Sequence, residues 1–272
     1  MNKKQIFGVS SLVVAVVLFS SLLVVSALAS HSWGGYHWGR TANPFTLNLG
    51  DNVSSAWDSY LSGSSSDWSQ SSVLDTVVVS GKTSSKTCKP VAGRVEVCSN
   101  RYGRNGWLGV ASIWINSSGH ITQGTAKMND TYFNTSFYNT PAWKNLVLCQ
   151  EIGHTFGLDH QDEDFSNPPL GTCMDYSSDP ILNQHPNQHD YDQLETIYNS
   201  HLDSVNTASQ VSFSKLGKLV KGVISEVNAE EDKEWGKPVR ESHDKRSSLY
   251  EKHLDRGEKV YTFVIWADSS YR

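Results

Sequence analysis

The chain has 272 residues, 38% hydrophobic and 19% charged, a globular composition with room for one large domain or two small ones. A formal net charge of −5 and a pI near 6.0 exclude the strongly basic face that nucleic-acid binding requires. Nine tryptophans and eleven tyrosines supply large apolar area for a core and a cleft.

Lys3 and Lys4 precede an uncharged run that ends in Ala27-Leu28-Ala29 before Ser30. A basic start, an apolar stretch and small residues at −3 and −1 predict a secretory signal peptide over residues 1–29, cleaved after Ala29. The apolar run is long enough that an uncleaved membrane anchor is the alternative. Either way the remainder lies outside the cytoplasm, as a secreted protein or an anchored one. Four cysteines suit that compartment. Of the three possible pairings, Cys88–Cys98 with Cys149–Cys173 is favoured, because the first pair flanks a short basic stretch and could close a hairpin.

A domain is expected over residues 30–204, opening with an irregular Gly-, Trp- and His-containing stretch to Asn43. Residues 44–49 read as a short strand. Asp51 offers an N-cap to a helix over 53–61, where Val53, Ala56, Trp57, Tyr60 and Leu61 recur at helical spacing, and the serine-rich 62–72 reads as a loop. Residues 73–79, 91–97, 108–115 and, less clearly, 121–128 are strand-like. Thr140-Pro141 caps and opens a helix that Gly157 can end, with Trp143, Val147, Gln150 and His154 along one face. A loop with Asn167-Pro168-Pro169 and Gly171 follows. Asn187 then starts a last helix striped by Tyr191, Leu194, Ile197, Tyr198 and Leu202. Residues 205–233 form a polar linker with a weakly amphipathic piece at 216–224. Residues 234–272 form a small β-rich extension around the apolar strand 260–267.

Chemistry concentrates in Gln150-Glu151-Ile152-Gly153-His154-Thr155-Phe156-Gly157-Leu158-Asp159-His160. Side chains four apart on a helix share a side, so residues 150 and 154 can converge on one ion. Residue 151 sits about 100° around the helix, which sets its carboxylate beside that ion. Glycine at 157 permits the sharp exit that brings His160 in as a third ligand. Cys173-Met174-Asp175-Tyr176 supplies a methionine within a downstream turn.

This stretch resembles the metzincin pattern His-Glu-x-x-His-x-x-Gly-x-x-His followed by a Met-turn, with Gln150 at the first position. The likeness is to the matrixin branch and runs from roughly Tyr36 to Asp203. It implies an α+β, zincin-like fold: a twisted, mixed, mostly parallel five-stranded sheet with three helices, to which the C-terminal β extension is an appendage. It implies a monomeric zinc endopeptidase acting on extended polypeptide. His154, His160 and Gln150 would hold Zn2+, Glu151 would be the general base and Met174 the floor beneath the ion. Tyr176 would stabilise the tetrahedral intermediate, and strand 108–115 would be the cleft edge that pairs with substrate.

Gln150 leaves three outcomes open. An amide oxygen is a poorer zinc donor than imidazole nitrogen, so the site could bind weakly. Another side chain could complete the sphere, with His120, His185, His189, Asp162, Glu163 and Asp164 as candidates. Or the chain could be a metal-free binding protein, a pseudoprotease that kept the cleft. Retention of Glu151 favours the active reading, since a buried unpaired acid is costly. His185 and His189 otherwise read as surface or capping residues. His31 and His37 read as part of an aromatic cluster with Trp33 and Trp38 rather than a second metal site. Calcium at Asp162–Asp164 is conceivable but unsupported, since carboxylates alone lack the required loop geometry. No cysteine precedes Cys88, so a cysteine that occupies the zinc to keep the enzyme latent is not encoded.

Overall fold

The computed structural model describes residues 31–208 and 235–272; the expected signal peptide and most of the polar linker, including 216–224, lie outside them. Among the described residues the sheet has nine strands: β1 (His37–Trp38), β2 (Phe45–Asn52), β3 (Leu74–Ser80), β4 (Arg94–Asn100), β5 (Trp107–Ile115), β6 (His120–Asn129), β7 (Lys237–Glu241), β8 (Ser247–His253) and β9 (Lys259–Trp266). The helices are α1 (Asp58–Trp68), the single turn α2 (Asp130–Phe133), α3 (Pro141–His154) and α4 (Gln188–Asn199). No described helix is long and apolar enough to cross a membrane.

The strand order is β3-β2-β4-β6-β5-β9-β8-β7, with β1 beside β6. β3, β2, β4 and β6 run parallel, and β5 joins β6 antiparallel. Those five strands match the expected mostly parallel sheet, but the sheet does not stop there. β9 pairs antiparallel with β5 over nearly its whole length, and β8 and β7 follow antiparallel. The C-terminal strands are therefore part of the one sheet and not an appendage. The physical reason lies in β9 itself. Val260, Phe263, Val264 and Ile265 are buried, on both faces of the strand, so β9 needs cover on both sides as well as hydrogen-bonded neighbours.

The first long helix falls one and a half turns later than its expected position. Asp51 and Asn52 stay in β2, and the helix runs through the serine-rich segment. Leu61, Ser64, Ser65 and Trp68 form its buried stripe at spacings of three and four. Serine is a modest helix former, but here it is small enough to sit on the sheet, where Ser65 Oγ lies 2.8 Å from Thr76 Oγ1. α3 keeps its expected bounds: Thr140 Oγ1 accepts from Trp143 N at 3.3 Å and Pro141 takes the first helical position. Leu202, placed by periodicity on the stripe of α4, lies beyond that helix and is exposed.

α4 starts with a reciprocal cap: Asn187 accepts from the amide of Asp190, and Asp190 Oδ2 accepts from the Asn187 amide at 2.8 Å. Asp190 is fully buried, and burial pushes its carboxyl up to about 6 from 3.8. The unfolded carboxyl therefore ionises first. Stability tied to Asp190 is present below about pH 4, is lost as pH rises to about 6, and is level above that. The Asp190→Asn variant should flatten that slope by roughly 3 kcal/mol, read as urea midpoints between pH 4 and 7. An unchanged slope would place the titrating group elsewhere.

Candidate metal and catalytic site

α3 packs against β5 and β6 and delivers Gln150, Glu151 and His154 into the interior, all 1% exposed or less. Gln150 Nε2 donates to the carbonyl of Cys173 at 2.9 Å, and its Oε1 is left buried without a partner. His154 Nδ1 lies 2.9 Å from the carbonyl of Leu158. A carbonyl can only accept, so Nδ1 carries the proton and Nε2 keeps its lone pair. His160 Nδ1 lies 3.3 Å from a carboxylate oxygen of Glu163, and its buried Nε2 also lacks a partner. The rings of His154 and His160 are neighbours, 4.5 Å apart and at 87°. Each potential ligand is thus oriented by a hydrogen bond at its other end, the arrangement that fixes tautomer and direction around a metal.

The chain between the two histidines turns at Gly157, with φ of +98°. A Cβ there would run into the carbonyl oxygen of Tyr36. The turn's own carbonyls are capped from outside. Trp33 N donates to Gly157 O at 3.1 Å, Trp38 Nε1 to Thr155 O at 2.8 Å and Tyr198 Oη to Phe156 O at 2.6 Å; the Trp33 indole donates to Leu158 O. Further along, Gln161 N donates to Met174 O at 2.6 Å and Tyr176 N to Asp162 O at 3.2 Å, which stitches the methionine turn to the loop after His160. The Cys149–Cys173 disulfide ties that turn to α3; Cys88–Cys98 forms as well.

Glu151 faces β5. A Cβ at Gly109 would come within 2.5 Å of Glu151 Oε1 and 2.6 Å of Val147, so only glycine lets helix and strand approach this closely. Burial pushes the Glu151 carboxyl well above the usual carboxylate range, opposed by a hydrogen bond from the Ala111 amide, and its Oε2 has no partner. Burial, and then the neighbouring His160, push the His154 imidazole well below its ordinary value, so it is neutral at physiological pH. Buried acceptors thus outnumber donors around α3, an imbalance that a divalent cation resolves. Two imidazole nitrogens and an amide oxygen form a donor set that zinc accepts, although the oxygen is the harder ligand.

The other candidates for a replacement ligand go elsewhere. His185 pairs with Asp67 at 2.7 Å, His120 with Asp203 at 3.1 Å, and His189 with His31 at 3.0 Å. Asp162 and Asp164 accept hydrogen bonds within their own loop, and Glu163 engages Arg240 and His160, so this trio is not arranged as a calcium site. Nor do His31 and His37 join the expected aromatic cluster. His31 stacks on His189, and His37 packs beside His120 and His201.

The C-terminal strands seal the site. β5 is an interior strand and not a free cleft edge, because β9 occupies the position expected for substrate. Phe263 stacks on His154 at 3.8 Å, with the rings parallel to within 1°. Tyr176 lies 4.1 Å from the His160 ring, and its hydroxyl hydrogen-bonds to the side chain of Ser247 on β8. Arg240 on β7 donates to Asp159 at 2.7 Å and contacts Glu163 at 3.0 Å. Burial opposes ionisation of Asp159, yet the Arg240 hydrogen bond holds that carboxyl below its ordinary value. Sequence reading found β9 but not Arg240, Ser247 or Phe263. The available signal was an apolar strand with no obvious partner.

No family model matches this chain, and no curated protein does. Solved structures with a weak likeness to this chain include the following two. High choriolytic enzyme 1, a hatching enzyme zinc-protease from the medaka fish Oryzias latipes, is 10% identical over 61% of this chain and 95% of that one, with a TM-score of 0.34. Myroilysin is 13% identical over 62% of this chain and 86% of that one, with a TM-score of 0.33. What the site can do is decided by its own side chains. The Gly157→Ala variant should lose roughly 3 kcal/mol of stability, from left-handed strain plus the Tyr36 contact, measured by thermal melting. A loss under about 1 kcal/mol would mean the turn yields easily.

Proposed function

We propose that this chain is an exported zinc-dependent endopeptidase held latent by its own C-terminal strands. The observation that supports it is three buried polar atoms without partners, Gln150 Oε1 and Glu151 Oε2 on α3 and His160 Nε2 after the glycine turn, with the His154 and His160 rings 4.5 Å apart. In this reading Gln150, His154 and His160 hold the ion. Zinc bound there would polarise a scissile carbonyl and acidify water. Glu151, whose carboxyl burial pushes well above the usual carboxylate range, would take the proton of the attacking water and return it to the leaving amine. Tyr176, once released from Ser247, donates its hydroxyl hydrogen to the developing oxyanion. β5 receives the extended polypeptide on the edge that β9 now covers, and β9 already runs antiparallel to it. The matrixin-type motif and two disulfides fit this role in an oxidising compartment.

Each of β7, β8 and β9 contributes one residue to the closure, Arg240, Ser247 and Phe263. Opening requires those contacts to break together with one ladder of strand hydrogen bonds. A metal-free binding protein is the second reading, and Gln150 at the first ligand position favours it.

Zinc content separates the two readings. The purified chain, reloaded with excess zinc and desalted, should retain metal at α3, and Gln150→His should tighten that binding at least about tenfold. Glu151→Gln should keep the zinc and lose cleavage of an unstructured peptide by roughly a thousandfold. Cleavage that survives Glu151→Gln would remove the proposed base. Metal that is absent from wild type and from Gln150→His alike would leave the binding-protein reading.

The latch has its own readout. Arg240→Ala deletes a two-point contact on Asp159 and Glu163 and should raise peptide cleavage about tenfold by populating the open form. Cleavage unchanged or lowered would argue that the C-terminal strands support the site instead of closing it.

A further inference from the structure

On the far side of α4 three imidazoles surround one carboxylate. His37 lies in β1, His120 opens β6, and His201 and Asp203 follow α4. His120 Nε2 is 3.1 Å and His201 Nε2 3.4 Å from Asp203 Oδ1, while His37 Nε2 is 3.4 Å from Oδ2. One ligand atom from each of His37, His201 and Asp203 falls within 4.8 Å of the others. In a tetrahedral zinc site with bonds of about 2.0–2.1 Å, ligand atoms stand about 3.3–3.4 Å apart, which is the spacing around this carboxylate.

The surrounding bonds orient these groups as an ion requires. His37 Nδ1 donates to the carbonyl of Gly35 at 2.8 Å, so Nε2 presents a lone pair; that atom is buried and has no hydrogen-bond partner. It faces a carboxylate oxygen, another acceptor, so its buried lone pair is left unsatisfied. His201 Nδ1 lies 3.0 Å from Ser200 Oγ, which leaves Nε2 for the centre. Asp203 is steered by Arg40, whose Nη1 and backbone amide donate to Oδ2 at 2.7 and 3.1 Å. Oδ1 is thereby turned toward His120 and His201. Arg40 is fully buried, and its guanidinium donates to the carbonyls of Tyr198 and His201. A carbonyl on one imidazole, a hydroxyl on another and a guanidinium on the carboxylate make the outer layer that typically orients metal ligands.

We propose that His37, His201 and Asp203 form a second zinc site, with His120 hydrogen-bonded to the Asp203 carboxylate beside it. Two imidazole nitrogens and one carboxylate oxygen suit zinc, with water completing a tetrahedral set. The ion would join the N-terminal segment to the exit of α4, with the start of β6 held to it through the His120–Asp203 hydrogen bond. That segment caps the turn carrying His154 and His160, so the site would brace the α3 centre without touching it. The inference does not depend on the peptidase reading.

The test uses the full exported chain, stripped with a chelator and titrated with zinc alone, with metal counted by mass spectrometry. His201 has a half-exposed side chain, so His201→Ala should fold. It should bind one equivalent of zinc fewer than wild type, or bind it at least about a hundredfold more weakly. If α3 also binds, the count falls from two to one; if the peptidase reading fails, it falls from one to none. With cobalt in place of zinc, the visible absorption of wild type should fall in His201→Ala and stay unchanged in Glu151→Gln. Equal stoichiometry in wild type and His201→Ala, or no zinc in either, would overturn the proposal. The latter result would make the cluster a hydrogen-bonded one with a proton at His37 Nε2.

Discussion

The turn between His154 and His160 is the constraint on which the rest of the structure depends. A helix that ends in the interior leaves carbonyls that must be paired. Here the partners are two tryptophan indoles, a tyrosine hydroxyl and a backbone amide, all from segments remote in sequence. The N-terminal segment, α4 and α3 are therefore one hydrogen-bonded unit. Any ion at α3 would inherit its geometry from that unit, and the position of Gly157 against Tyr36 leaves the turn little freedom.

In the proposed zinc centre, Gln150 changes the donor set less than the loss of a histidine implies. Its amide nitrogen is held by the Cys173 carbonyl, so the oxygen is aimed by the same kind of restraint that orients the two imidazoles. The Cys149–Cys173 disulfide closes a 24-residue separation around that bond and, on loop-entropy grounds, contributes roughly 3 kcal/mol. A neutral amide oxygen leaves the double charge of a bound ion undiminished while holding it less strongly. Such a centre trades affinity for retained Lewis acidity.

The C-terminal strands meet two needs at once. β9 is too apolar to stand as an edge, and β5 backs onto a buried carboxyl that would otherwise face water. Pairing them completes a sheet and covers the α3 site in one step. Latency here would be a matter of strand pairing and packing, reversible in principle and set by the free energy of one hairpin against one substrate segment. A short ionic contact at Arg240 adds directionality to a closure that is otherwise mainly apolar.

Much of this was legible in the sequence because it depends on local spacing. The face shared by residues 150 and 154, the glycine exit, the Thr140 and Asn187 caps and the parallel strand set all follow from periods and turn chemistry acting over a few residues. Serine misled at α1 because helix propensity is a local average, whereas small size against a sheet is a tertiary advantage. Only the folded chain decided that β9 pairs with β5, that Arg240 reaches Asp159, and that His37, His120 and His201 all lie beside the carboxylate of Asp203. Apart from His201 with Asp203, those contacts join residues about 80 or more apart, and no periodicity encodes a partner at that distance. The physical reason is that long-range pairing is selected by the burial and hydrogen bonding of the whole sheet, terms that exist only once the chain has closed on itself.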